Sequence, residues 1–512
     1  MFKMGPVVSF RDAAEGGTSW NLSILVVAAT APPLRLSGAR ATVGDAEELW
    51  RVDGQVAWRY HVNARLEDRP AALAYTVGDH EFQLQLPASG MAPRIAYASC
   101  NGFSSLKAMK GIDDKNALWT RMARQHREIG FNLLMMGGDQ VYADAMWSQL
   151  PTMRSWAELN FRAGNEAPAT PEMIRDLERF YFDLYTSRWA QEEVRQLLAS
   201  VPTVMMWDDH DLIDGWGSYP EERQLCEVYQ QAIWPAAERA FRTFQQHLAP
   251  GEAAPGSISP QHGFSFGHVV GGVAILAIDM RSERRHNRVL SGDHWDALYT
   301  WLDSLEGIEH LLIMSSIPVV YPGFDTLERI LGALPGQQEL DDDLRDHWNS
   351  RPHKGERLRL IHRLLRLNEE RSIRPTLISG DVHVAALGYI ESSRSAAGAA
   401  INQLISSGIV HPGPPGAVVF ALRRIFDNSD EIDRGIVARM VDFPGTQVRF
   451  IGKRNYLTIE PDPQPRYCRL WVNWWIEGET DPYTKVVHPL ERRELSATVI
   501  PQPADPTIAV AA

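Results

Sequence analysis

The period of the hydrophobic positions changes near residue 90. Before it, alternating and β-branched stretches predict strands at Trp20 to Ala29, Ala41 to Val43, Gln55 to Val62, Ala72 to Val77 and Glu81 to Leu86. No amphipathic helix interrupts them, and Pro87-Ala-Ser-Gly90 reads as a loop. The pattern predicts an N-terminal all-β domain over residues 1–90.

From Arg94 onward short buried runs alternate with helical patterns. Arg94 to Ala98, Asn132 to Met136, Thr203 to Trp207, Val273 to Ile278, Leu311 to Ser316, Thr376 to Ser379 and Gln403 to Ser406 read as strands covered on both faces. Asn116 to Ile129, Pro171 to Leu198, Glu222 to Phe244, Asp293 to Leu305 and Gly355 to Leu367 carry apolar residues at three- and four-residue spacing, and Ser291 is placed to cap the fourth. The fold class is α/β, with a catalytic domain over 91–440. Beyond Asp427, strands are predicted at Gln447 to Ile451, Tyr456 to Glu460 and Tyr467 to Trp475, so 441–512 supplies C-terminal strands and a Pro-rich tail. His411-Pro-Gly-Pro-Pro415 reads as a rigid turn before a short helix.

Composition narrows the classes. With 512 residues and 44% apolar content the chain can bury a large core, and its net charge of −13 disfavours a nucleic-acid scaffold. Three cysteines cannot form a secreted-type disulfide framework. No export leader or bilayer-length apolar run is evident, so a cytoplasmic location is expected.

Candidate chemistry sits where the apolar runs end. Cys100 follows the first run, Gly138-Asp139 the second, Asp208-Asp209-His210-Asp211 the third, and Gly380-Asp381-Val382-His383 the sixth. Ligands in open α/β sheets bind beyond the carboxyl ends of strands. Each motif alone has an ordinary explanation: an aspartate capping loop N–H groups, a buried thiol, a solvated acidic loop. Three carboxylates around His210 repel one another without a cation, however, and Asp381 and His383 share one side of an extended segment. The set points to a metal centre.

The ordered motifs Ser99-Cys100, Gly138-Asp139-Gln140-Val141-Tyr142, Trp207-Asp208-Asp209-His210, Asp279-Met280-Arg281 and Gly380-Asp381-Val382-His383 resemble the PhoD-like (alkaline phosphatase D) branch of the calcineurin-like metallophosphoesterases, over roughly Arg94 to His411. The resemblance implies a two-layered β-sandwich flanked by helices, preceded by an Ig-like β domain. It implies a binuclear centre of Fe3+ plus Ca2+, or another divalent cation such as Mn2+, Mg2+ or Zn2+. Cys100, Tyr142 and His383 would hold the first ion, Asp139 would bridge, and Asp209 and Asp381 would hold the second. Asn101, Asp208 and Asp214 are additional candidates. His210 would donate a proton and Arg281 would fork onto phosphate oxygens, although an ion pair with Asp279 accounts for Arg281 equally well. Where relatives offer a further histidine, this chain has Ser315-Ser316.

The implied activity is hydrolysis of a small phosphomonoester or phosphodiester by hydroxide generated on the metals. Two competing readings are a phosphodiesterase for lipid headgroups or nucleotides, and a non-catalytic, metal-stabilised binding protein on the same fold. Oligomeric state is not legible in the sequence.

Overall fold

A computed structural model describes residues 2–14, 17–38, 40–321, 348, 353–394, 399–425 and 429–490. The Pro-rich tail at 491–512 lies outside the described residues.

Two large sheets carry the fold. The first has 11 strands. At its centre Ile95–Ala98, Leu133–Gly137 and Thr203–Met206 run parallel, as short fully buried apolar segments do when both faces are covered. The second has nine strands, and in it Val273–Ile278, His310–Ser315, Arg374–Ser379 and Ala400–Ser406 run parallel to one another. Alternation along these strands divides their side chains between two cores. Ile275, Ala277, Leu312, Met314 and Leu404 share one core with Ile95, Leu134 and Val204 of the first sheet. Their neighbours Leu276, Ile278, Leu311 and Ile313 pack in another with Leu298 and Leu302 of the helix Gly292–Ser304 and Leu360 and Leu364 of the helix Lys354–Arg371. The architecture is mixed α/β, with helices over the outer face of the second sheet.

The N-terminal residues are β-rich as expected, but their strands extend the first sheet. Met4–Ala13, a segment the periodicity did not single out, pairs antiparallel with Ser19–Ala28 and parallel with Thr203–Met206 through Ser9 and Thr203. The sheet is therefore continuous across residue 90, while Leu34–Leu36, Ala71–Val77 and His80–Leu86 form a separate three-stranded sheet. Asn455–Pro461, Leu470–Ile476 and Tyr483–Val487 continue the first sheet beyond Ile95–Ala98.

The predicted helices are present with breaks. Pro171 to Leu198 is two helices, Pro171–Trp189 and Glu192–Ser200, and Glu222 to Phe244 is interrupted by π-helical turns at Val228–Ile233 and Phe241–Gln245. The Ser291 hydroxyl caps its helix by accepting the His294 N–H at 3.3 Å.

Candidate metal centre

The central parallel strands of both sheets end on the same region, because the two sheets meet at their carboxyl edges: Ser99 Oγ donates to the Ser406 carbonyl at 2.9 Å and Ile409 N to the Ser99 carbonyl at 3.0 Å. The crossing is tight. A Cβ at Gly380 would stand 2.5 Å from Ser99 Oγ. One at Gly138, whose φ is +114°, would stand 2.9 Å from the Asp208 Cβ.

Cys100, Asp139, Asp381 and His383 all adopt left-handed backbone, with φ of 53°, 49°, 66° and 51°. Such residues cost energy and persist where surrounding structure fixes them, typically at functional sites. Here the sharp turns aim the side chains inward. Cys100 Sγ lies 3.4 Å from Asp139 Oδ2 and 3.1 Å from Ser407 Oγ, and the Tyr142 hydroxyl donates to Asp139 Oδ2 at 3.5 Å. Ser407 Oγ also accepts the His383 N–H at 3.0 Å.

Ligand atoms of Asp139, Asp209 and His210 lie within 4.8 Å of one another, as do those of Asp208, Asp209 and Asp381. Asp209 belongs to both groups. Asp139, Asp208 and Asp209 are almost completely buried, at 1%, 1% and 3% exposure. Burying several carboxylates together costs several kcal/mol each unless positive charge compensates. Asp139 Oδ1 is buried with no hydrogen-bond partner. Burial, with Asp209 and Asp208 adding to it against His210, pushes the Asp139 carboxyl well above its ordinary range, and burial likewise raises the Cys100 thiol and the Tyr142 phenol. A cation reverses that balance, since it favours the deprotonated form of each donor. The donor types suit metal ions: a thiol and a phenol contact the Asp139 carboxylate, with imidazole and further carboxylates nearby.

Arg281 answers part of the negative charge. Fully buried, its Nε donates to Asp208 Oδ1, Nη1 donates to the Trp216 carbonyl at 3.2 Å, and Nη2 is 3.5 Å from Asp209 Oδ1. Asp279 is engaged instead by Trp207 Nε1 at 2.9 Å, the Arg281 backbone N–H at 3.0 Å and the Ser282 hydroxyl. Ser316 Oγ donates to Asp208 Oδ1 at 2.8 Å, whereas Ser315 Oγ turns to the Ile317 carbonyl.

Of the expected candidates, Cys100, His383, Asn101 and Asp214 belong to neither of those groups. The Asn101 amide is committed to Trp119 Nε1 at 2.9 Å, to Arg188 and to the Gln140 carbonyl. Asp214 contributes its backbone, donating N–H to Asp144 Oδ1 at 2.8 Å.

Residues beyond the expected ligands and proton donor complete the site. Asp144 Oδ2 lies 2.5 Å from His210 Nδ1. Burial alone would lower the His210 pKa, yet Asp144 and Asp209 together hold it well above the usual range. Asp211, buried beneath the site, ties the loops after Leu133–Gly137 and Thr203–Met206 together. Its carboxylate accepts the backbone N–H groups of Gln140 (3.1 Å), Val141 (3.3 Å) and Asp208 (3.0 Å), the Tyr185 hydroxyl (3.1 Å) and the Gln245 amide (3.0 Å). His411 packs on His383, with ring centroids 3.8 Å apart. Asp144 and Asp211 sit within or beside motifs visible in the sequence, five residues after Asp139 and two after Asp209. No sequence signal ties Ser407 to them, and His411 reads as part of a rigid turn.

Two mixed sheets whose central parallel strands converge on buried carboxylates, a thiol and imidazoles define a mixed α/β protein equipped for a metal-dependent site. The family described as PhoD related phosphatase matches residues 80–335 and 329–430, and the chain belongs to it. Its relatives include the Saccharomyces cerevisiae protein named "Uncharacterized protein YGR266W", 26% identical across 81% of this chain and 72% of that protein. The solved structure of PhoD superimposes with a TM-score of 0.58, covering 95% of this chain and 90% of its own at 15% identity, a likeness of fold alone. Among the described residues no helix is long and apolar enough to cross a membrane.

Proposed function

We propose that the protein is a metal-dependent phosphoesterase acting on a small phosphomonoester or phosphodiester. The observation that carries this reading is the convergence of Asp139, Asp209 and His210 within 4.8 Å, with Asp144 behind the imidazole. Cys100, Tyr142, His383 and Asp139 would hold one ion, and the donor set suits ferric iron. Asp209, Asp381 and Asp208 would hold a second, divalent ion such as calcium, manganese, magnesium or zinc. When bound, the ions activate water and neutralise charge on the phosphoryl oxygens.

The chain's own groups do the rest. With Nδ1 engaged by Asp144, His210 keeps Nε2 to give a proton to the leaving oxygen. Arg281 lies behind the carboxylates and orients Asp208 and Asp209. Asp211 keeps the two acidic loops in register.

The test pairs elemental analysis with assays of a monoester and a diester under defined metals, on the wild type and on Cys100→Ala, Asp139→Asn and His210→Ala. The first two should lose metal and turnover together, and the third should lose turnover with metal retained. Full activity with unchanged metal in the first two overturns the reading. A metal-bound wild type hydrolysing neither ester favours a binding protein.

A further inference from the structure

His411 is 8% exposed and lies in the loop that follows Ala400–Ser406. That loop is laced onto the turn carrying Cys100. Ile409 N donates to the Ser99 carbonyl at 3.0 Å, and the N–H groups of Val410 and His411 both donate to the Cys100 carbonyl, at 3.3 and 3.2 Å. The turn needs Gly408, whose φ is +79° and where a Cβ would meet the His411 carbonyl oxygen at 2.4 Å.

Both ring nitrogens of His411 are occupied. Nδ1 is 2.9 Å from the Pro412 carbonyl oxygen, which only accepts, so Nδ1 carries the hydrogen. Nε2 is then the acceptor, and the Ser104 hydroxyl donates to it at 3.1 Å. An imidazole fixed in this way offers a site its face and no lone pair. That face is used: the ring lies 18° from the plane of His383 at 3.8 Å and 16° from that of Tyr142 at 5.7 Å. Tyr142 in turn stacks on His210 at 4.3 Å.

We propose that His411 is a positioning residue for the metal centre, its locked ring setting the orientation of His383 and Tyr142. The proposal rests on the metal-site reading above and adds a residue from the loop beyond the motifs. Ligand orientation by neighbours of this kind commonly governs metal affinity by about 10- to 100-fold. Ser407, three residues before Val410, supports it from the same loop by accepting the His383 N–H and contacting Cys100 Sγ.

The experiment titrates Co2+ into the chelator-treated full-length chain and follows the thiolate-to-cobalt absorption that reports Cys100. His411→Phe keeps a planar face without ring nitrogens; His411→Asn keeps hydrogen-bonding groups without a ring. The expected order is wild type, then His411→Phe close behind, then His411→Asn weaker by about 10- to 100-fold, with unchanged far-UV circular dichroism. His411→Ala, expected to bind as weakly as the Asn variant, replaces it should that variant not fold. Equal Co2+ affinity and absorption in all forms overturns the proposal, as does the reverse order of Phe and Asn. Lost turnover with unchanged Co2+ binding overturns it too, because His411 would then act on substrate. A wild type that binds no Co2+ removes the metal-site reading itself, a failure distinct from those of the variants.

Discussion

His210 Nδ1 lies 2.5 Å from Asp144 Oδ2, and the other oxygen of the same carboxylate accepts the Asp214 N–H at 2.8 Å. The carboxylate is thus held at both ends, and the imidazole it holds can rotate little.

Asp144→Asn should therefore cost about 100-fold or more in kcat, within the range spanned by a general acid. The sign of the pH effect follows from the charges. Burial pulls the His210 pKa down, while Asp144 and Asp209 raise it above the usual range, so the proton is retained to high pH. Removing one anion lowers that pKa. The alkaline limb of the kcat/KM profile should move to lower pH, and an unmoved limb in a slowed variant would count against His210 as proton donor.

Asp211 accepts three backbone N–H groups from the loops that carry Asp139 and Asp209. Burial raises its pKa to about 7 even though those bonds favour the carboxylate. Asp211→Asn places donors against donors, and Asp211→Ala leaves buried N–H groups unmet. Losses of about 2 kcal/mol and about 3 kcal/mol are expected from urea denaturation, with activity falling in both.

Those two aspartates mark the border of what the sequence discloses. The strand ends were legible because a run such as Leu133 to Gly137 is apolar on both faces and then stops at Asp139. Asp144 and Asp211 were visible as acids but not as partners, since their roles depend on which loops meet. Ser407 carries no local signal and His411 reads as part of a rigid turn; their place is set by the docking of one sheet against the other. The strand Met4–Ala13 contains Gly5 and Pro6, residue types that disfavour strand interiors, and it is the strand that joins the N-terminal residues to Thr203–Met206.

Arg281 is fully buried against Asp208 and Asp209. Arg281→Met removes the counter-charge and should destabilise the metal-free protein by about 3–5 kcal/mol, while Arg281→Lys should cost less. Added divalent cation supplies positive charge at the same carboxylates. The rise in melting temperature on adding Mn2+ should consequently be larger for Arg281→Met than for the wild type, and an equal rise would show that Arg281 and the ion do not share those carboxylates.

His268 is buried beside Phe10, and burial together with Arg11 lowers its pKa from 6.5 to about 4. A histidine held neutral in the fold gives its full stability above pH 6.5, and that contribution is lost as pH falls toward 4, because the unfolded chain takes up the proton first. The loss approaches about 3 kcal/mol at the acid end. Denaturation midpoints of His268→Gln should vary less between neutral pH and about pH 5 than those of the wild type, and parallel curves would assign the acid sensitivity elsewhere.

Cys100 and Ser407, 3.1 Å apart, are separated by 307 positions along the chain. At typical rates of synthesis the ribosome needs roughly 15 to 60 s to pass from one to the other. During that interval Cys100 has neither the hydroxyl that contacts it nor the loop that covers it, and the half of the site already made offers its thiol to any oxidant or stray metal. The site is thus among the last parts of the molecule to be assembled, and a chain cut short before that loop would lack both its closure and the strands Asn455–Pro461, Leu470–Ile476 and Tyr483–Val487 that continue the first sheet.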